Sequence, residues 1–99
     1  FATYGQFRGG NGYARSMEHT VILSDAARGL GLGRALMQAV EDHARAAGHH
    51  IMVAGVSSGN PAGRDFHAAL GYRLVGTVPE AGWKFGRYWD LWLMQKILT

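Results

Sequence analysis

Cysteine is absent from the 99 residues. That excludes disulfides, a thiolate nucleophile and any zinc site built on cysteine. Redox chemistry therefore leaves the compartment unmarked, and the cytoplasm is the expected location. No apolar run approaches the ~20 residues a helix needs to cross a bilayer, so no membrane partner is expected. The first residues do not read as a signal peptide. An initial methionine is also missing. Phe1-Ala2-Thr3-Tyr4 reads as the tail of a strand cut into by the chain start, so processing or truncation upstream is expected. Lysine is scarce: two lysines stand beside eight arginines, for a formal charge of +3. The basic residues are scattered and form no stripe of the kind nucleic acid requires, so no nucleic-acid partner is expected. A modest basic excess serves a single polyanionic cofactor equally well. Apolar residues are 47% and charged residues 17%, a globular composition of a length that suits one domain.

The chain reads as strands alternating with two helices. Residues 5–15 are glycine-rich and read as a loop, either ordinary surface or ligand-facing. Residues 17–23 read as a strand, and Val21-Ile22-Leu23 suggests burial on both faces. Residues 24–30 read as a turn. Leu32, Ala35, Leu36, Ala39, Val40, His43, Ala44 and Ala47 recur at helical spacing and predict a helix over 32–47 with those residues inward, stopped by Gly48. Glu41 falls outside that stripe. Residues 50–56 read as a buried strand, parallel to the first by the right-handed crossover rule. Asn60-Pro61 predicts an N-cap and the first turn of a second helix ending near Leu70. A strand over 72–78, a loop over 79–86 and a final antiparallel strand over 87–97 complete an α/β fold with a mixed central sheet.

Arg28-Gly29-Leu30-Gly31-Leu32-Gly33-Arg34 lies between a strand and the strongest helix. Unpaired amides and the positive dipole end make a helix head an anion site, and glycines let phosphate approach the backbone. A Walker loop would need Gly-Lys-Ser/Thr, which is absent. The dinucleotide fingerprint spaces its glycines differently. The acyl-CoA diphosphate loop, with arginine first and glycines fourth and sixth, fits Arg28, Gly31 and Gly33. A plain tight turn is the bland alternative.

With these residues the chain resembles the GNAT superfamily of N-acetyltransferases. Within it, the chain is most similar to the phosphinothricin and methionine sulfoximine enzymes. Tyr4-Gly5-Gln6-Phe7-Arg8, Glu18-His19-Thr20-Val21, the Arg28–Gly33 loop, Met52-Val53-Ala54-Gly55, His67-Ala68-Ala69-Leu70-Gly71-Tyr72 and Trp83-Lys84-Phe85-Gly86-Arg87 with Asp90 carry the likeness. It spans Tyr4 to Leu98 and implies the GNAT fold with about four upstream elements missing.

The resemblance implies acetyl-CoA as cosubstrate, held by Arg28, Gly29, Leu30, Gly31, Leu32, Gly33 and Arg34. It implies that an N–H near Val21 or Ile22, where the sheet splays, polarises the thioester carbonyl. Asn60 would contact the pantetheine arm, or serve only as the N-cap, or do both. Gly63 and Arg64 depart from the family's serine and apolar residue.

An amine must lose a proton before it attacks. At pH 7 that costs about 1–1.4 kcal/mol for an α-ammonium and about 4.6 kcal/mol for a lysine. The resemblance places the catalytic carboxylate at Glu18, expected to be buried or half-buried; an edge position facing solvent is the alternative. His67 stands where many relatives carry tyrosine. It would protonate the leaving thiolate or assist Glu18, unless it is simply a helix-surface histidine. Arg8, Tyr13, Arg15, Lys84 and Arg87 are candidates for holding an anionic acceptor. His19, His43, His49 and His50 lack the spacing of a metal shell, and no metal is assigned.

The expected function is N-acetylation of a small amino-acid-like amine by direct attack in a ternary complex. The alternatives are acetylation of a protein N-terminal amine, a non-catalytic acyl-CoA-binding module, and a chain inactive at this length. Trp83, Tyr88, Trp89 and Trp92 suggest a homodimer surface.

Overall fold

The computed structural model describes residues 2–21 and 31–99. The end of the predicted first strand (Ile22, Leu23) and the turn over 24–30 lie outside the described residues. The elements are β1 (Ala2–Gln6), β2 (Ser16–Val21), α1 (Leu32–Ala46), β3 (Ile51–Ser57), α2 (Pro61–Ala69), β4 (Arg73–Lys84) and β5 (Arg87–Ile97). The strand order is β1-β2-β3-β5-β4, and the β1/β2 and β4/β5 pairs are antiparallel. The chain forms two compact units, residues 1–52 with 97–99, and residues 53–96.

In the first unit, Met17, Met37, Val40, Ala44, Met52 and Leu98 are buried. Three of these are methionines, whose unbranched side chains fill irregular gaps. The start of β3 is tied to the start of β2, because Arg15 O accepts from His50 N and Ile51 N at 2.8 and 3.1 Å. Leu98 N donates to His50 O at 2.7 Å, and Arg45 Nε donates to Leu98 O at 2.8 Å.

The helix over 32–46 forms where expected, but it is turned about its axis. Gly33, Met37, Val40, Glu41 and Ala44 face inward, while Leu32 is 46% exposed and Ala35 and Ala39 are exposed. One residue is about 100° of helix, so a small rotation exchanges neighbouring stripes. Met37 offers far more apolar area than the alanines of the expected stripe, and burying it decides the rotation. Glu41 is carried inward with it and is 2% exposed. Leu36, Ala39 and His43, with the edge of the inward-facing Val40, line an open groove of about 530 Å³ together with Ala2, Thr3 and Tyr4. His43 faces this groove, and its Nδ1 is hydrogen-bonded to the Tyr4 hydroxyl at 2.6 Å.

In the second unit, Val53, Ala54, Val56, Tyr72 and Met94 are buried. β4 does not stop at Val78 as the sequence suggests; it runs to Lys84. Pro79 has no N–H and interrupts a regular ladder, but β4 is the edge of the sheet and register shifts occur between Leu74 and Gly76 and between Val78 and Gly82. Within the second shift Glu80 has φ of 56°, and its N–H is held by Asp90 Oδ1 at 3.0 Å. The Asp90 backbone in turn exchanges bonds with Ser58, N to Oγ at 3.0 Å and O from N at 2.9 Å.

Lys84 and Arg87 close the β4/β5 hairpin through a two-residue turn at Phe85 and Gly86, with φ of 56° and 73°. This mirror-image turn matches strand twist but suits Asn or Gly, not a bulky side chain. Phe85 is 85% exposed there. Phe85→Asn is therefore expected to raise the free energy of unfolding by about 0.5–1 kcal/mol, read from the urea midpoint. A lowered midpoint would mean that Phe85 makes a stabilising contact.

Candidate functional site

The head of α1 presents backbone amides that the helix ladder leaves unpaired. Gly31 is its N-cap, with φ of 75° and ψ of 6°, a left-handed conformation that costs other residues about 1–2 kcal/mol. Among the described residues no side chain caps this end, and no first-turn residue is acidic. Ala35 N bonds to Gly31 O at 3.2 Å, so the helix ladder begins there and the amides before it need other acceptors. Gly33 is buried and brings no side chain to the first turn; Leu32 and Arg34 are exposed beside it. Arg28, Gly29, Leu30 and Ile22 lie outside the described residues. Val21 is the last described residue of β2.

Glu18 is not buried. Met17 and His19, its neighbours on β2, are buried and Glu18 is exposed, the alternation of a strand with one covered face. Its cross-strand partner is Gly5, and a Cβ built on Gly5 would meet nothing within 4 Å. The carboxylate therefore stands beside open space, reachable by a ligand without the desolvation that the sequence reading expected.

Arg8, Tyr13 and Arg15 belong to the loop between β1 and β2. Gln6 Nε2 organises that loop by donating to Arg8 O at 2.6 Å and Gly10 O at 3.0 Å. A 3-10 turn spans Asn11–Tyr13, and the Arg8 guanidinium lies 5.2 Å from the Tyr13 ring centroid. All three side chains are exposed.

The second unit holds the remaining candidates. Asn60 does cap α2, its Oδ1 accepting from Gly63 N at 3.0 Å. His67 lies in the last turn of α2, half-buried, with Nδ1 bonded to Gly63 O at 2.7 Å. A carbonyl only accepts, so Nδ1 carries the hydrogen in that bond. The Phe66 and Tyr72 rings meet His67 edge-on at 5.2 and 5.3 Å, holding the imidazole plane.

Lys84 and Arg87 sit opposite each other at the hairpin end. Lys84 Nζ is 5.1 Å from the Phe85 ring, and the Arg87 guanidinium is 3.9 Å from the Trp89 ring. Trp89 Nε1 donates to Lys84 O at 2.8 Å. Trp83 and Tyr88 are exposed at 64% and 56% and meet at 4.7 Å. Trp89 and Trp92 do not share that open surface: both are half-buried, Trp89 beside Arg87 and Trp92 beside Arg64 at 4.7 Å. Arg87 and Trp89 share one face of β5 through the two-residue period of a strand, whereas Arg64 reaches Trp92 from α2, a tertiary pairing that the sequence alone did not supply.

Among the described residues, no three His, Asp or Glu side chains are grouped to hold a metal. No helix among them is long and apolar enough to cross a membrane.

A sequence model of the acetyltransferase (GNAT) family matches residues 1–72. The chain belongs to that family. It is 45% identical, over 96% of its length, to L-methionine sulfoximine/L-methionine sulfone acetyltransferase of Pseudomonas aeruginosa, and covers 55% of that protein. An acetyltransferase from Salmonella typhimurium, solved with its cofactor acetyl-CoA, superposes with a TM-score of 0.92 at 41% identity. The match covers 99% of this chain and 57% of that one. A ribosomal-protein-alanine N-acetyltransferase from Brucella melitensis superposes with a TM-score of 0.90 at 41% identity, covering 97% of this chain and 59% of that one. This GNAT chain thus spans little more than half the length of the proteins it matches.

Proposed function

We propose that this chain supplies the acetyl-CoA-binding and catalytic part of an N-acetyltransferase acting on a small amino-acid-like amine. The observation that carries the proposal is the head of α1, with its left-handed glycine cap, no capping side chain among the described residues and no acidic group in the first turn. A diphosphate needs such a place, and the Salmonella relative was solved with acetyl-CoA. Leu32, Gly33 and Arg34, with Arg28, Gly29, Leu30 and Gly31, hold the diphosphate. An N–H near Val21 or Ile22 polarises the thioester carbonyl.

Glu18 takes the proton from the attacking amine, either directly or through a water. Its exposure does not oppose this role, since an α-ammonium is only about one unit from losing its proton at neutral pH. The amine nitrogen bonds to the acetyl carbon, the tetrahedral adduct collapses, and the carbon–sulfur bond breaks. His67 returns a proton to the departing sulfur through Nε2. The name of the Pseudomonas relative favours an amino-acid analogue such as methionine sulfoximine or phosphinothricin. Arg8, Arg15, Lys84 and Arg87 offer cations, and Tyr13 a hydroxyl, for the acceptor's carboxylate or sulfoximine. Trp83 and Tyr88 give a homodimer an aromatic surface.

The Brucella relative favours a second reading, in which the acceptor is a protein N-terminus. A thiol-release assay on a protein carrying this chain separates the two. The small-amine reading expects CoA release with methionine sulfoximine or phosphinothricin and little with alanine-terminated peptides. Release with peptides alone would reverse the assignment.

His67 is tested by pH. With imidazolium as the acid, turnover falls as pH rises through its ionisation, and His67→Asn is expected to lose that limb and at least about tenfold in rate. A variant profile that overlays the parent would remove His67 from the reaction.

A further inference from the structure

The loop between β1 and β2 contains Gly9, Gly10 and Gly12. Glycine loses more freedom on ordering than any other residue, so the shape of this loop needs a pin. Its neck is closed by Phe7 N, which donates to Ser16 O at 2.9 Å. Beyond the neck, among the described residues, one side chain ties residues 8–10 to the strands. Gln6, the last residue of β1, donates from Nε2 to Arg8 O at 2.6 Å and to Gly10 O at 3.0 Å. Both acceptors are carbonyls, so the amide nitrogen faces the loop and both its hydrogens are used. Gly10 O also accepts from Tyr13 N at 3.1 Å, which begins the 3-10 turn over Asn11–Tyr13. Gly10 has φ of 107° and ψ of 146°, a conformation that glycine adopts and other residues avoid. One carboxamide thus fixes the backbone at Arg8 and, through Gly10, at Tyr13. The two side chains meet, guanidinium to ring centroid, at 5.2 Å.

We infer that Gln6 is a positioning residue: its carboxamide shapes the 8–13 loop so that the Arg8 guanidinium and the Tyr13 hydroxyl are presented together to the carboxylate of the acceptor. This rests on the reading of Arg8 and Tyr13 as acceptor-binding residues. Among the described residues no carboxylate pairs with Arg8, so its charge is open to one that arrives with the amine. The pin also stands beside the proposed base. Gly5 is the cross-strand partner of Glu18, and Gln6 is that of Met17. Gln6 acts through loop carbonyls, and its effect is therefore selective for acceptors that carry the anion.

The test is Gln6→Met on a protein carrying this chain, since methionine keeps the length of the side chain and loses both donors without adding charge. Tryptic nicking of the native protein after Arg8, followed by mass, is expected to quicken several-fold. The KM for methionine sulfoximine is expected to rise about three- to tenfold, the worth of one net hydrogen bond. Turnover at saturation and acetyl-CoA affinity stay within about twofold, the latter read by calorimetry. The methyl ester of methionine sulfoximine, which lacks the carboxylate, keeps its KM. Arg8→Gln raises the KM for the free acid, and adding Gln6→Met to it costs less than in the parent. Unchanged nicking would mean that the carbonyl pair does not order the loop, and overturns the inference. An equal rise in KM for acid and ester overturns it too, since the loop is then merely loosened. If Arg8→Gln raises the KM for the acid and Gln6→Met does not, the role of Gln6 is rejected while the acceptor reading survives. If Arg8→Gln and Tyr13→Phe both leave that KM untouched, the acceptor reading of the loop fails and takes the inference with it.

Discussion

Glu18→Gln is expected to lower the rate of acetyl transfer at least about tenfold while acetyl-CoA binding stays within twofold of the parent. Glutamine keeps the size of the side chain and loses only the ability to take a proton. The position tolerates the exchange structurally, because the side chain is exposed and its partner across the strand pair is Gly5, which has no side chain to disturb. Stability should therefore move by no more than about 0.5 kcal/mol. The loss should grow with the basicity of the amine: a peptide-like α-amine costs about 1–1.4 kcal/mol to deprotonate at pH 7, a lysine-like amine about 4.6 kcal/mol. Raising the pH should recover part of the lost rate, since more amine then arrives already neutral. Single-turnover rates for the two proteins, with affinities measured separately, give the answer. Equal rates would leave Glu18 an ordinary solvent-facing residue.

The second large effect belongs to Gly31. Gly31→Val is expected to weaken acetyl-CoA binding about 10- to 100-fold, the worth of one charge-assisted hydrogen bond or more. At φ of 75° a β-branched residue is forced to shift the backbone, which re-aims the amides that follow. Among the described residues no side chain caps the first turn of α1 to restore the alignment. The remaining helix, anchored by Met37, Val40 and Ala44, should persist, so far-ultraviolet circular dichroism should be retained. Acetyl-pantetheine, which has no diphosphate, should bind parent and variant alike. Equal affinity of both proteins for acetyl-CoA would take the diphosphate away from this helix.

The features legible in the sequence were those set by local chemistry. Asn60-Pro61 announced a helix start because an asparagine cap and a proline at the first position satisfy the same unpaired amides. The 32–46 helix was visible in its spacing, and its glycine-rich approach pointed to phosphate. What was not legible depends on tertiary choices. The rotation of α1 that buries Glu41 follows from competition between stripes of similar width, settled by the bulk of Met37. The resemblance made Glu18 a buried or half-buried carboxylate, with a solvent-facing edge position as the alternative; the alternation at 17–19 leaves it outside. Pro79 signalled a loop, yet an edge strand with two register shifts absorbs it. Trp89 and Trp92 read as open aromatic surface, but Arg87 covers Trp89 from two residues away on β5 and Arg64 covers Trp92 from α2.

Asp90 appeared in the sequence only as part of a motif. Its carboxylate holds the Glu80 N–H, and its backbone is tied to Ser58. Asp90→Ala should lower the unfolding free energy by about 1 kcal/mol, seen as a reduced urea midpoint.

Titration calorimetry with acetyl-CoA against acetyl-pantetheine weighs the diphosphate directly. If the amides at residues 31–34 grip it, acetyl-CoA binds at least about tenfold more tightly than the truncated thioester, and most of that advantage disappears in Gly31→Val. Equal heats and affinities for the two thioesters, or no heat with either, would contradict the assignment of this helix head.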